Sequence, residues 1–332
     1  MARTLIIAEA GVNHNGRLDL ALQLCDSAKA CGADVVKFQT WQTEKIITRT
    51  VAQADYQSAN TGRTESQFDM LRRLELSYDD FRRIKAHCDE IGITFASTAD
   101  ERWSLDFLVS LGIPFIKVGS GEITNIPYLR IMGAAGLPLI VSSGMADLED
   151  VAGALRTLRA AGARDITLLH CTTNYPCPMP EVNLKAMCTL RDAFRLPVGY
   201  SDHTEGIEVP VAAVAMGACV IEKHFTLDKD MEGPDHRAST EPAEFRKMVD
   251  SIRNIEQALG NGVKAPMESE VGISQVVLKR ILASRAIQCG EELTAENLCV
   301  KRNDQGIPAK YWDLLLGRKA SRAYAADEPV DL

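Results

Sequence analysis

No apolar run in the 332 residues approaches the ~20 needed to cross a bilayer. The opening stretch, MARTLIIAEAG, moves straight into a strand-like pattern and lacks a secretory cleavage pattern, so a cytoplasmic protein with no membrane partner is expected. Positive charge is in deficit: 37 Lys and Arg against 45 Asp and Glu give a formal charge of −8. That balance argues against nucleic acid as a partner, while a local lysine cluster can still hold a small anion. The nine cysteines never form a CxxC pair, and Cys25, Cys31 and Cys88 fall in helix-like patterns. They read as small buried hydrophobes in a reducing compartment. No GxGxxG follows the first strand-like run, which weighs against a dinucleotide-binding fold.

What is present is an alternation. Short β-rich apolar runs occur at Thr4–Glu9, Asp34–Gln39, Ile93–Thr98, Phe115–Ser120, Leu137–Ser142, Ile166–His170, Val198–Ser201 and Cys219–His224. Between them lie helical patterns such as LDLALQLCDSAKACG, YDDFRRIKAHCDEIG and LEDVAGALRTLRAAG, each with a closing glycine. Eight such units predict a (β/α)8 TIM barrel over residues 1–260 rather than an open doubly wound sheet. The loop from Thr40 to about Tyr78 is long, with an inner helix expected near SQFDMLRRLEL. GNGVKAPMESEVG then reads as a linker, set at residues 261–278, and a small β-rich unit follows at 279–332.

Each expected strand ends on polar or ionisable residues: Glu9, Lys37, Thr98, Lys117 with Ser120 and Glu122, Ser142, His170, Ser201 and His224. The carboxyl ends of barrel strands are where such enzymes place their chemistry. His203 and His224 close successive strands, which in a parallel sheet lie about 4.8 Å apart. Either histidine alone would read as a strand cap. Two in register, followed by Asp235–His236–Arg237, favour a shared metal ion with open positions for water or substrate. Asp202, Glu222 and Lys223 are expected to add charge to the same rim.

The motifs IIAEAGVNHNG, VVKFQT, IKVGSGEITN, VSSGMA, GYSDHT and EKHFTLDKDMEGPDHRAS, in this order, resemble those of the sialic acid (nonulosonic acid) synthases. The resemblance spans essentially the whole chain and implies a C-terminal antifreeze-like (SAF) domain after the barrel. It implies condensation of phosphoenolpyruvate with an N-acetylated mannose-type sugar, giving a nine-carbon 2-keto acid and phosphate. A divalent metal is implied, Mn2+ first and Mg2+ or Co2+ as alternatives, held by His203 and His224. Phosphoenolpyruvate would meet Lys37, Thr98, Lys117, Ser120, Ser142 and Ser201. Glu122 is the first candidate for acid/base work and Glu9 the second. Tyr175, Asn174 and Asp235 match sugar contacts, although Thr173-Asn174-Tyr175-Pro176 stands where the family often reads Thr-Asn-x-Tyr-Pro. Arg302 matches an arginine delivered to a neighbouring subunit, which implies a homodimer with exchanged C-terminal domains.

N-acetylmannosamine, giving N-acetylneuraminic acid, is the sugar expected first. The alternative is 2,4-diacetamido-2,4,6-trideoxymannose, giving N,N'-diacetyllegionaminic acid. Two other readings compete with this family: a metal-free Schiff-base aldolase using Lys117 or Lys37, and a non-catalytic sugar- or ice-binding protein.

Overall fold

The computed structural model describes residues 3–51 and 65–331. Its contacts divide the chain into two compact units, Met1–Asn261 and Gly262–Leu332.

The first unit is a closed barrel of eight parallel strands in sequence order. They are β1 (Leu5–Gly11), β2 (Val35–Thr40), β3 (Thr94–Ala99), β4 (Ile116–Val118), β5 (Leu139–Ser142), β6 (Ile166–His170), β7 (Val198–Asp202) and β8 (Val220–His224). The β1–β8 ladder, with Leu5 opposite Val220 and Glu9 opposite His224, closes the ring. The helical patterns form helices Leu18–Ala30, Tyr78–Ile91 and Leu148–Ala160. Asp147 and Ser77 cap the last two through capping boxes, satisfying amides that a first turn leaves unpaired. In the long connection after β2, helix Gln67–Leu74 stands where SQFDMLRRLEL predicts one, and residues 52–64 lie outside those described.

Alternation along the strands builds two cores. One set of positions, including Ile6, Val36, Phe38, Val118, Val141 and Ile221, packs against the surrounding helices. The other set, Ile7, Val35, Ala96, Phe115, Ile140, Leu169 and Val220, forms a separate cluster that fills the barrel interior. β7 contributes Gly199 to this layer because nothing larger fits. A Cβ there would stand 2.4 Å from the Val220 carbonyl oxygen and 2.6 Å from Leu169 Cδ2.

The second unit pairs β9 (Lys279–Ala283) with β10 (Leu298–Arg302) as antiparallel strands over a small core that includes Ile281, Ile287, Leu293, Leu298, Leu315 and Val330. Helix Glu268–Val277 occupies ten of the residues read as linker. The Gly/Pro-rich composition ends at Pro266, and the Glu270 carboxylate accepts the Met267 N–H at 2.8 Å, which starts a capped first turn. Among the described residues, no helix is long and apolar enough to cross a membrane.

Candidate active site

The inward positions change character toward the carboxyl end of the barrel. Ile7 is followed two residues on by Glu9, Val35 by Lys37, Ala96 by Thr98, Phe115 by Lys117, Ile140 by Ser142, Gly199 by Ser201 and Val220 by Glu222. A two-residue period brings all seven polar groups to one level above the apolar plug. All seven are buried.

Buried charges at this level must satisfy one another. Lys37 forms an ion pair with Glu9 and donates to Thr98 Oγ1 at 3.0 Å. Glu222 lies between the two lysines, with Oε2 3.6 Å from Lys37 Nζ and Oε1 3.3 Å from Lys117 Nζ. Lys117 also donates to Ser142 Oγ at 2.8 Å, and Ser201 Oγ donates to Glu222 Oε1 at 3.0 Å. Glu9 Oε1 accepts from Gln39 Nε2 at 3.2 Å.

The two carboxyls divide electrostatically. Burial raises the pKa of Glu9, with Lys37 only partly opposing it and Glu222 adding to it. Burial also works against the charged form of Glu222, but Lys117 and Lys37 outweigh it and hold Glu222 below the usual range. Burial would likewise neutralise Lys37, and Glu222 and Glu9 reverse this so that it stays an ammonium. Lys37 therefore stays a cation beside one firm carboxylate, Glu222, and one carboxyl, Glu9, that holds its proton more tightly.

One step further along β7 and β8, the imidazoles of His203 and His224 face each other with ring centroids 5.5 Å apart. His203 Nδ1 lies 2.7 Å from the Thr172 carbonyl oxygen, which can only accept, so Nδ1 carries the proton and Nε2 keeps its lone pair. His224 Nδ1 is buried with no hydrogen-bond partner. Burial lowers both pKa values, which favours the neutral form that ligates metals. The pair fits a divalent ion: two neutral imidazoles, one with a fixed tautomer and one with an unsatisfied nitrogen. Among the described residues, no group of three or more His, Cys, Asp or Glu forms a metal cluster.

The ring of Tyr175 lies 4.2 Å from that of His203 and 5.4 Å from that of His224, so this candidate sugar contact adjoins the pair. Asn174 is exposed and lines a separate cavity of about 780 Å³ with Ser143, His170 and Lys185. Ser120 opens a 3-10 turn, Ser120–Glu122, and its Oγ accepts the Gly144 N–H at 3.2 Å. Glu122, at the other end of that turn, accepts from Asn125 Nδ2 at 2.6 Å. It lines a cavity of about 550 Å³ with Lys45, Asp100 and Arg102, whose lining does not include Lys37, Glu222 or Lys117. Burial raises Asp100 to about 7, with Glu122 adding to the effect. Asp235 stands at the turn after β8, where burial raises it to about 6. Arg302 ends β10 in the second unit and is exposed.

Two corrections follow from strand parity. Asp202 and Lys223 do not join the charged rim with Glu222. They occupy the outward positions of β7 and β8, where Lys223 Nζ donates to Asp202 Oδ2 at 2.5 Å. Glu222 itself, expected only as a neighbouring charge, bridges both lysines. The signal was available two residues away, because Glu222 shares the parity of His224.

The sequence profile of the NeuB family matches residues 24–264, and that of the SAF domain matches residues 281–332. The chain is 47% identical over 332 residues to the N,N'-diacetyllegionaminic acid synthase of Campylobacter jejuni, covering 99% of each. It is 46% identical over 325 residues to the protein of that name from Legionella pneumophila, covering 97% of this chain and 91% of the relative. A solved structure, the N-acetylneuraminic acid (sialic acid) synthetase of Leptospira borgpetersenii in complex with citrate, matches at 33% identity. Its TM-score is 0.72, over 83% of this chain and 93% of that one.

Proposed function

The chain belongs to the NeuB family, and on that premise we propose that it condenses phosphoenolpyruvate with 2,4-diacetamido-2,4,6-trideoxymannose. The products are N,N'-diacetyllegionaminic acid and phosphate. This reverses the order of sugars expected from sequence, where N-acetylmannosamine stood first. Relatives named for the legionaminic acid share 46% and 47% of residues, against 33% for the structure named for sialic acid.

The observation that carries the reaction is the pair of buried lysines, Lys37 and Lys117, bridged by Glu222 one step below two facing histidines. Phosphoenolpyruvate has two anionic ends, and two ammonium groups with Thr98, Ser142, Ser201 and Ser120 supply cations and hydroxyl donors for them. Carbon–carbon bond formation joins the enol carbon to the sugar's aldehyde carbon, and positive charge develops at the phosphate-bearing carbon. Water adds there, and phosphate leaves as its bond to that carbon breaks. Glu222 remains a carboxylate fixed between the lysines and offsets their charge. Glu9, buried beside Lys37, is placed to take the proton of the adding water. Glu122, the first candidate from sequence, lines a cavity with Asp100 and becomes the second candidate. Tyr175 and Asp235 would meet the sugar.

His203 and His224 would hold the divalent ion, Mn2+ first, with Mg2+ or Co2+ as substitutes; when bound, it polarises the aldehyde oxygen as a Lewis acid. The Schiff-base reading needs a neutral amine, and Lys37 is held as an ammonium by two carboxylates while Lys117 is ion-paired with Glu222.

Phosphate release from phosphoenolpyruvate and Mn2+ with each sugar tests the reading. The kcat/KM for the diacetamido sugar should exceed that for N-acetylmannosamine by roughly tenfold or more. The reverse order would restore the sialic acid reading, and no phosphate with either sugar would end the proposal. Turnover that survives chelation, with an imine trapped by borohydride, would favour the aldolase.

A further inference from the structure

Asp202 and Lys223 are the last ladder partners of β7 and β8. The next residue on each strand is His203 and His224. Both charged side chains face outward and are almost fully buried, at 0% and 2% exposure. The outward positions beside them are largely apolar, with Tyr200 before Asp202, Ile221 before Lys223 and Ala8 opposite Lys223, while His170 stands opposite Tyr200 on β6. A buried ion pair rarely stabilises a fold more than apolar residues of the same volume would, because desolvation offsets the attraction. Its presence here calls for a different account, and the hydrogen bonds supply one.

Lys223 Nζ donates to Asp202 Oδ2 at 2.5 Å and to the Thr204 carbonyl oxygen at 2.8 Å. Asp202 Oδ1 accepts from the Thr204 N–H at 3.1 Å and from Thr204 Oγ1 at 2.8 Å. The residues before and after His203 are thus tied to each other and to one ammonium, which belongs to the residue before His224. The backbone of His203 cannot shift along β7 without breaking this lattice, and neither can that of His224. Each histidine is then secured from its other side. His203 Nδ1–H donates to the Thr172 carbonyl, and the Thr240 N–H donates to the His224 carbonyl at 2.8 Å.

We propose that Asp202, Thr204 and Lys223 are positioning residues that fix the separation of the His203 and His224 imidazoles. They touch no substrate and act only through the two histidines. The inference rests on reading those histidines as metal ligands, and residues that hold a ligand in place commonly set metal affinity by factors of 10 to 100.

The test uses the full-length chain in two variants. Removing one charge alone would strand the other in the interior, so the first variant is Asp202→Leu/Lys223→Met, which replaces the pair with apolar side chains of similar size. The second, milder variant is Thr204→Val, which removes one hydroxyl bond and leaves the pair intact. Mn2+ affinity is read from free Mn2+ by electron paramagnetic resonance, Tm by calorimetry, and the metal-free imidazoles by 15N resonances assigned through His203→Gln and His224→Gln. The expected result is a Tm within a few degrees of the parent, a Kd for Mn2+ raised about 10- to 100-fold in the double variant and severalfold in Thr204→Val, and displaced resonances for both rings. Unchanged Kd and unchanged resonances in a folded variant would overturn the proposal. If the double variant does not fold, Thr204→Val decides by the same two readings. A parent chain that binds no Mn2+ would end the metal reading instead. The resonances then decide alone: displaced rings support positioning and unmoved rings overturn it.

Discussion

Glu9 on β1 and Lys37 on β2 are register partners, and their side chains form an ion pair inside the barrel with only 2% and 3% of their surface exposed. The same ammonium is 3.6 Å from Glu222 Oε2, so one lysine faces two carboxyls of opposite tendency. Glu222, which also has Lys117, stays ionised, whereas burial raises Glu9. On the proposed reaction, that asymmetry suits Glu222 to balancing charge and Glu9 to exchanging a proton.

Glu9→Gln keeps the hydrogen-bonding shape and removes the proton acceptor. Its kcat should fall by roughly 10²- to 10⁴-fold with a smaller change in KM. Glu122→Gln, at the mouth, should lose less. Steady-state kinetics of both variants decide the order, and a larger loss in Glu122→Gln would exchange the two roles.

Gly144 makes a close approach that no side chain could make. A Cβ there would lie 2.2 Å from Thr173 Oγ1 and 2.7 Å from Ser120 Oγ, and its N–H donates to that same Ser120 oxygen. Gly144→Ala should push Ser120 aside, raising the KM for phosphoenolpyruvate about tenfold, and should cost about 1–3 kcal/mol through overpacking. A variant with parental KM and Tm would show that the turn yields freely.

His14 and His236 are buried neutral histidines at the barrel mouth. Burial lowers His14 to about 3, helped by His236, and lowers His236 to about 4. The Gly16 N–H donates to His14 Nδ1 at 3.1 Å, while His236 Nδ1 and Thr226 Oγ1 lie 2.6 Å apart. The unfolded chain takes up these protons as pH falls below about 6.5, and the folded chain does not until far lower. Stability is therefore present above pH 6.5 and is lost as pH falls toward 4 and 3, by about 1.4 kcal/mol per pH unit for each group. Urea unfolding at pH 7, 6 and 5 should show a shallower loss in His14→Gln than in the parent. Equal slopes would mean that His14 does not govern acid sensitivity.

The exchange of C-terminal units between two chains that the resemblance implies is tested by complementation. An Arg302→Ala chain mixed with a His203→Ala chain should regain activity after subunit re-equilibration, because one site of the heterodimer then has an intact barrel and an intact arginine. Arg302→Ala alone should raise KM for the sugar more than for phosphoenolpyruvate. No recovery in a demonstrated heterodimer would mean that each chain serves its own barrel.

The barrel was legible because its signals are local. Strand-like runs with glycine-closed helices between them mark eight units, and helix Gln67–Leu74 announces itself through its Ser66 cap and apolar spacing. Within the stretch read as linker, composition did not announce helix Glu268–Val277, because a Gly/Pro-rich stretch gives way to a capped helix within two residues.

The sequence by itself determined which residue types stand at the strand ends, because the chain order of β1 to β8 and the polar residue closing each are written along it. What only the tertiary structure decided is which of them meet. Parity sends Glu222 inward to two lysines and Lys223 outward to Asp202, although they are adjacent in the chain. It also joins Glu9 to Lys37, 28 positions away. These partnerships depend on ring closure between β1 and β8 and on the register of each ladder. No local pattern encodes either, because both are set by how the apolar layer around Ile7, Phe115 and Leu169 packs across the barrel.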